Sequence, residues 1–354
     1  MNCSNCGAQQ PTSLRQVAVT RQRRPALLYH CSVCDFHGLT DLPTGGGSAP
    51  PIGGATDSAA TLHSKASTQT AAEKPVAEET LAEERLAERT LAERTLVEET
   101  AAAETIAAPS WLALAYEDAF YGDTGYVDRN LHAAMLLRLT LAIGRLLGLG
   151  APIGCDMGCG LGMLPRLLRD RGLDFWGSDE FAAMELIRPF CNPGPDLPIG
   201  CRTAFEVIEH VPDAAAFLRQ QVGEVPLFVF STLMRRDGEI PAKDWWYYAF
   251  GNGQHISFHS RRSFQLAMQR AGLDPASLVS LDGPRHPRAL HAIARDWRWR
   301  LAFRLAMPLA NRGLAWLLLP WLEPMQGLRC RIIPDHVEAM RLKAERSAEG
   351  SVAA

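Results

Sequence analysis

The sequence has no strong excess of either charge. Its 36 Lys and Arg against 39 Asp and Glu leave a net charge of −3, so no global positive field draws it to nucleic acid. It has no run of 18 uninterrupted apolar residues, which excludes a helical membrane span on hydropathy. Met1-Asn-Cys-Ser-Asn-Cys6 lacks the apolar stretch of a signal peptide, so a cytoplasmic protein is expected. In that compartment nine cysteines point to metal ligands or reduced thiols rather than disulfides. From Leu39 to Ser110 there is no Phe, Tyr or Trp, so that stretch has little with which to build a core. The 354 residues suffice for about two domains.

Two Cys-x-x-Cys pairs, Cys3/Cys6 and Cys31/Cys34, have 24 residues between them. Two knuckles that each give two thiolates to one tetrahedral ion suit structural Zn2+, with a redox dithiol or unpaired thiols as the other readings. The segment between them, Val17 to Tyr29, is strand-like but poor in apolar residues, so metal would supply most of the stability of a zinc ribbon over residues 1–40. With four cysteines available, His30 and His37 are read as bystanders. Arg15, Arg21, Arg23 and Arg24 are either a solvated face or a contact for a phosphate or acidic partner. Residues 41–110 then read as a linker. Leu81, Leu86, Leu91 and Leu96 recur every five residues, a step of about 140° that spirals around a helix and makes no coiled-coil seam. With a net charge of −6 over Glu73–Glu104, the stretch is expected to be a solvated, partly helical tether that keeps the ribbon away from the rest, dimerisation being the alternative.

The organising stretch is Ala151-Pro-Ile-Gly-Cys-Asp156-Met-Gly158-Cys-Gly160-Leu-Gly162. An apolar run ends in Asp156, passes through three glycines, and opens into a Leu-rich helix. Glycines allow positive φ and close approach of a ligand to the main chain. Leu173-Asp-Phe-Trp-Gly-Ser-Asp179 reads as a second strand whose terminal acid, 17 residues beyond Gly162, is placed to bind a ribose diol. Further strands are expected over Thr203–Ile208, Pro226–Thr232, Ser277–Leu281 and Ala289–Ile293, and helices over Trp111–Phe120, Leu131–Leu149 and Arg261–Ala271. A third strand is hard to place, because Phe190–Pro198 is rich in proline. The polar loop before the sheet offers Asp123, Arg129 and Asn130 as lid residues or as caps and turns.

Two segments carry chemistry. Glu206-Val-Ile-Glu209-His210 brings two acids and an imidazole together after a strand, either as ligands of a divalent ion such as Mg2+ or with His210 as a base. His255 or His259 is the expected further ligand. Trp245-Trp246-Tyr247-Tyr248, followed by Gly253-Gln254-His255, is read as an acceptor wall of Trp245, Trp246, Tyr247 and Gln254, with core packing as the alternative.

The glycine motif resembles motif I of the class I S-adenosylmethionine (SAM) methyltransferases. That resemblance implies an α/β, Rossmann-like doubly wound sheet in which Asp156, Gly158, Gly160, Gly162 and Asp179 hold SAM. Glu-x-x-Glu-His resembles the metal-binding segment of ubiquinone-pathway and small-RNA 2′-O-methyltransferases. This implies catalytic roles for Glu206, Glu209, His210 and His255. Residues from about Ala115 to Ile293 are similar to the methyltransferase-domain-23 type. The matching pieces include Arg166-Leu-Leu-Arg-Asp-Arg-Gly-Leu-Asp-Phe-Trp176 and Thr203-Ala-Phe-Glu-Val-Ile-Glu-His210. The resemblance implies O-methylation of a sugar or small-molecule hydroxyl over residues 111–296.

Residues 297–354 read as a helical extension. From Pro284 to Arg312 seven arginines accompany one aspartate, interleaved with Trp297 and Trp299. Leu314–Glu323 is too short and proline-broken to span a bilayer. A basic-aromatic helix of this kind lies on an anionic membrane or packs on the sheet's edge. An RNA methyltransferase gripping its substrate through the ribbon, and a SAM-binding adaptor without catalysis, are the rival readings of the whole.

Overall fold

The structure, a computed structural model, describes residues 3–6, 8, 13–19, 24–41, 125–223, 225–281, 289–325 and 328–352. The leucine repeat, the helix expected over Trp111–Phe120 and the candidate Asp123 lie outside the described residues.

Strands β1 (Ser13–Val19), β2 (Arg24–Cys31) and β3 (Phe36–Asp41) form an antiparallel meander. The larger part of the chain begins with α1 (Tyr126–Leu146), then β4 (Ile153–Met157), α2 (Met163–Arg169), β5 (Phe175–Ser178), β6 (Ile199–Ala204), α3 (Ala214–Gln221) and β7 (Leu227–Ser231). After the short β8 (Ser257–Phe258) come α4 (Arg261–Arg270), β9 (Leu278–Leu281) and β10 (Leu290–Ile293). Helices α5 (Trp297–Asn311), α6 (Ala315–Met325) and α7 (Ile332–Val352) follow.

Six strands form one sheet in the order β5-β4-β6-β7-β10-β9. The first four are parallel, and β10 runs antiparallel to both of its neighbours. Chain order reverses at β4, which has β5 on one side and β6 on the other, and such a switch point is where open α/β sheets bind ligands. Leu136 and Leu137 of α1, Leu168 of α2 and Phe303 of α5 bury one face of the sheet against Phe175 and Val229. Ala215 and Leu218 of α3 and Phe264 and Met268 of α4 cover the other against Phe228 and Phe230. Each such fully buried Leu or Phe side chain is worth about 2 kcal/mol of apolar transfer. The result is the expected Rossmann-like architecture.

The missing third strand is reduced to one isolated bridge, Cys191 to Gly177. Pro189, Pro193, Pro195 and Pro198 surround it and deny the ladder its N–H donors. The strand expected over Thr203–Ile208 starts and ends earlier, at Ile199–Ala204. Glu206 takes φ +56°, which turns the chain out of the sheet.

The N-terminal meander is not held away from this body. β3 pairs with β8, His37 opposite Phe258 and Gly38 opposite Ser257, giving a four-stranded sheet β1-β2-β3-β8. The side-chain amide of Asn5 donates to the carbonyl of Ser263 at 3.0 Å, and Asp35 accepts the Gly238 N–H at 2.9 Å. Arg235 donates to the carbonyl of Asp35. Val19, Ala26, Leu28 and Leu39 share a core with Tyr247, Tyr248, Ile256 and Phe258. A three-stranded meander cannot bury its own apolar face or pair its own edge, and the body supplies both partners.

Candidate active site

Gly158, Gly160 and Gly162 hold φ of +65°, +59° and +84°, a left-handed path that an L side chain would strain. The turn they make links β4 to α2 at the switch point. Asp179, just beyond β5, reaches this turn. Its Oδ2 accepts the Gly160 N–H at 2.8 Å, and its Oδ1 accepts the N–H groups of Phe181 and Ala182 at 2.8 Å each. Asp156 is buried at the end of β4, with Oδ1 accepting the Thr203 hydroxyl at 2.5 Å. Burial pushes its carboxyl up to about 7, the nearby Asp179 charge adds to the shift, and Thr203 opposes it. The sequence did not single out Tyr126, whose hydroxyl accepts the Leu161 N–H at 3.1 Å and donates to the Cys159 carbonyl at 3.4 Å. It clamps the glycine turn from the start of α1. Asn130, proposed for the lid, donates to the Tyr126 carbonyl at 2.8 Å one helical turn back.

A second cluster lies beyond the carboxyl end of β6. Glu209, His210 and His255 bring ligand atoms within 4.8 Å of one another. Glu209 sits on a short 3-10 turn, Ile208–His210. It is fully buried, and neither carboxylate oxygen has a partner at hydrogen-bonding distance. Burial, then the charge of Glu206, pushes its pKa up to about 8. Burial also holds His210 and His255 below the usual imidazole range, so both rings are neutral. The Tyr247 carbonyl can only accept, so the 2.7 Å contact from His255 Nδ1 fixes the proton there and leaves Nε2 with its lone pair. Buried, unpaired oxygens beside two neutral imidazoles are a donor set that fits a divalent ion.

Glu206 does not join this cluster. Its Oε1 accepts the Ser231 hydroxyl at 2.6 Å, and its own N–H donates to the same Oγ at 2.8 Å. His259, the other histidine expected as a ligand, faces the meander instead, its ring 4.9 Å from that of Phe36 and its Nδ1 3.4 Å from Ser263 Oγ. Positive φ at Glu206 and pairing of β8 with β3 turn these two residues away.

The aromatic run divides. Trp245 packs edge-on against Tyr248 at 5.1 Å, beneath the meander, which is the core-packing alternative. Tyr247 is buried, with its hydroxyl accepting the Leu233 N–H at 2.9 Å. Trp246 is 59% exposed, and Gln254, half-buried, precedes His255.

Cys3, Cys6, Cys31 and Cys34 converge and are all buried. Cys3 and Cys34 sulfurs are 3.7 Å apart and those of Cys6 and Cys31 3.6 Å, far beyond a disulfide bond. A tetrahedron of 2.3 Å metal–sulfur bonds has edges of about 3.8 Å, so the cage fits Zn2+. His30 turns to Asp35 at 3.1 Å and His37 toward the Tyr248 hydroxyl at 3.4 Å.

The family described as a methyltransferase domain (Methyltransf_23) matches residues 130–278. No curated protein matches the chain. Among solved structures it is similar to mitomycin 7-O-methyltransferase, with 19% identity and a TM-score of 0.31 over 44% of this chain and 54% of that one. The chain thus spans about half the length of that enzyme. A SAM-dependent methyltransferase of Thermotoga maritima gives 15% identity and 0.36 over 52% and 99%. Magnesium protoporphyrin IX methyltransferase of Synechocystis with bound SAH gives 15% and 0.32 over 51% and 92%. Residues 130–278 thus match a methyltransferase-domain family, and they lie on a Rossmann-like sheet.

Proposed function

We propose that the protein is a SAM-dependent O-methyltransferase that acts on a sugar or small-molecule hydroxyl, with a zinc ribbon built into its acceptor side. The observation that carries this reading is the convergence of Glu209, His210 and His255 beyond β6, beside the switch point at β4 that the glycine turn occupies. Asp179 and the amides of the glycine turn are the groups that would hold SAM, which supplies an electrophilic methyl on a sulfonium. Asp179 accepts one backbone N–H bond on Oδ2 and two on Oδ1, so the second lone pair of Oδ2 is left for a ribose hydroxyl. Glu209, His210 and His255 would hold a divalent ion, which lowers the pKa of a bound hydroxyl.

The chain's own groups then orient the acceptor. Tyr247 fixes the His255 ring through its carbonyl and anchors itself to Leu233 through its hydroxyl. Ser231 pins Glu206 at the rim, where its charge acts on both Glu209 and His255. Holding acceptor oxygen and methyl donor in line supplies most of the acceleration. Turnover of SAM by the purified chain, screened against sugars and phenols with and without EDTA, tests the proposal. It predicts acceptor-dependent release of S-adenosylhomocysteine that EDTA suppresses and Mg2+ or Mn2+ restores. Release from RNA alone, lost on removing residues 1–40, would replace this reading with the RNA methyltransferase.

A further inference from the structure

The helices after the sheet present apolar side chains outward. On α6, Ala315 and Leu319 are buried, whereas Trp316, Leu317 and Trp321 are 67%, 67% and 76% exposed. Exposed Pro320 and Pro324 complete the outer face, which carries no polar residue. Glu323 points inward, to Arg138 of α1 at 2.5 Å. A helix that is apolar all round is normally covered all round.

α7 is inverted. The residue buried at its start is a charged one, Asp335, held by Arg169 of α2 at 2.7 Å and Arg166 at 2.9 Å. Ile333 and Val337, one turn apart, are 75% and 62% exposed. α6 packs on α1 and Asp335 docks α7 on α2, and α1 and α2 are neighbours on one face of the sheet. Both helices are therefore anchored on the helix layer that covers one face of the sheet.

Charge identifies the occupant. The acids of α5, α6 and α7 among the described residues whose side chains are placed are paired internally: Glu323 with Arg138, Asp335 with Arg169, Glu338 with Arg341. Arg304, Arg312 and Arg329 stay exposed beside the apolar residues. Across a twofold contact between two copies, these arginines would meet one another with no free acid opposite. Tryptophan and leucine flanked by arginine instead match an anionic lipid surface, where the rings sit at headgroup level and the guanidinium groups meet phosphate. Among the described residues no helix is long and apolar enough to cross a membrane. We propose that α6 and the start of α7 dock the protein in the plane of an anionic bilayer.

Flotation of the full chain with phosphatidylcholine vesicles, with and without 30 mol% (about one lipid in three) phosphatidylglycerol, tests this. Binding is expected only to the anionic vesicles and should weaken as salt rises. Trp316→Glu with Trp321→Glu should lower it at least tenfold while SAM affinity and the thermal transition stay at wild-type values. Arg312→Glu with Arg329→Glu should remove the preference for phosphatidylglycerol. Wild-type flotation by the tryptophan variant would overturn the proposal. So would a dimer in sedimentation that the same variant dissociates, in a protein that floats with neither vesicle.

Discussion

The Nδ1–H of His255 donates to the main-chain carbonyl of Tyr247 at 2.7 Å, and that bond leaves Nε2 as the nitrogen with the lone pair. A histidine ligand held from behind in this way binds metal in one tautomer and one orientation. His255→Ala is therefore expected to weaken Mn2+ binding at least tenfold, while zinc in the cysteine cage stays at one ion per chain. Calorimetric titration of the zinc-loaded protein with Mn2+ measures the first, and elemental analysis the second. Equal Mn2+ affinity in variant and wild type would remove the ion from the site.

Asp156 gives the clearest pH signature. Its folded pKa, raised to about 7 by burial, lies above the unfolded value of about 3.9. The folded state thus holds an extra proton between these limits, and stability falls as pH rises through that window. Asp156→Asn removes this slope. Thermal midpoints measured from pH 4 to pH 8 (roughly the two ends of the titration) should diverge in favour of the variant. The gap at neutral pH reaches at most about 4 kcal/mol, less the lost bond from Thr203. A gap that does not change with pH would show that Asp156 stays ionised in the fold.

The meander that holds the cysteine cage and the second cluster are joined through Ile256. Leu39 of β3 donates to the Ile256 carbonyl at 2.9 Å, and the Ile256 N–H donates to the Glu209 carbonyl at 2.8 Å. Cys31→Ser with Cys34→Ser should abolish zinc content, lower the melting temperature, and also reduce Mn2+ affinity although no Mn2+ ligand has changed. If zinc is lost while Mn2+ affinity is retained, the meander is only an appendage.

These dependences show what a one-dimensional reading can and cannot see. The glycine turn, Asp179 and the capped helix after Ser260 were legible because each is local: their partners lie within about twenty residues. The convergence of the two Cys pairs was legible because paired Cys-x-x-Cys knuckles are a recurrent four-sulfur arrangement. Pairing of β3 with β8 joins residues more than 200 positions apart, and no local pattern announces it. The same blindness hid the contact of the meander with the body and the edge-on packing of Trp245 against Tyr248. Glu206 and Glu209 are alike in sequence, and only the positive φ at Glu206 separates the acid that turns to Ser231 from the one that stays in the cluster.

Asp335 ties α7 to the sheet side of α2. Asp335→Ala leaves Arg169, whose side chain is 1% exposed, with Asp174 at 2.6 Å as its remaining acid. A loss of about 3 kcal/mol is expected, at the low end for breaking a buried pair because that second acid remains. Denaturant unfolding measures it, and a change under about 0.5 kcal/mol, as at an ordinary surface site, would mean that α7 is not anchored there.

Titration of the purified chain with SAM bears most directly on the central claim. Wild type should bind one SAM per chain, and Asp179→Ala, which loses the acid at the glycine turn, should bind at least tenfold more weakly while still unfolding cooperatively, at a lower midpoint because three backbone N–H groups lose their acceptor. Absence of SAM binding by the folded wild type, or equal affinity in Asp179→Ala, would contradict a cofactor site at this turn.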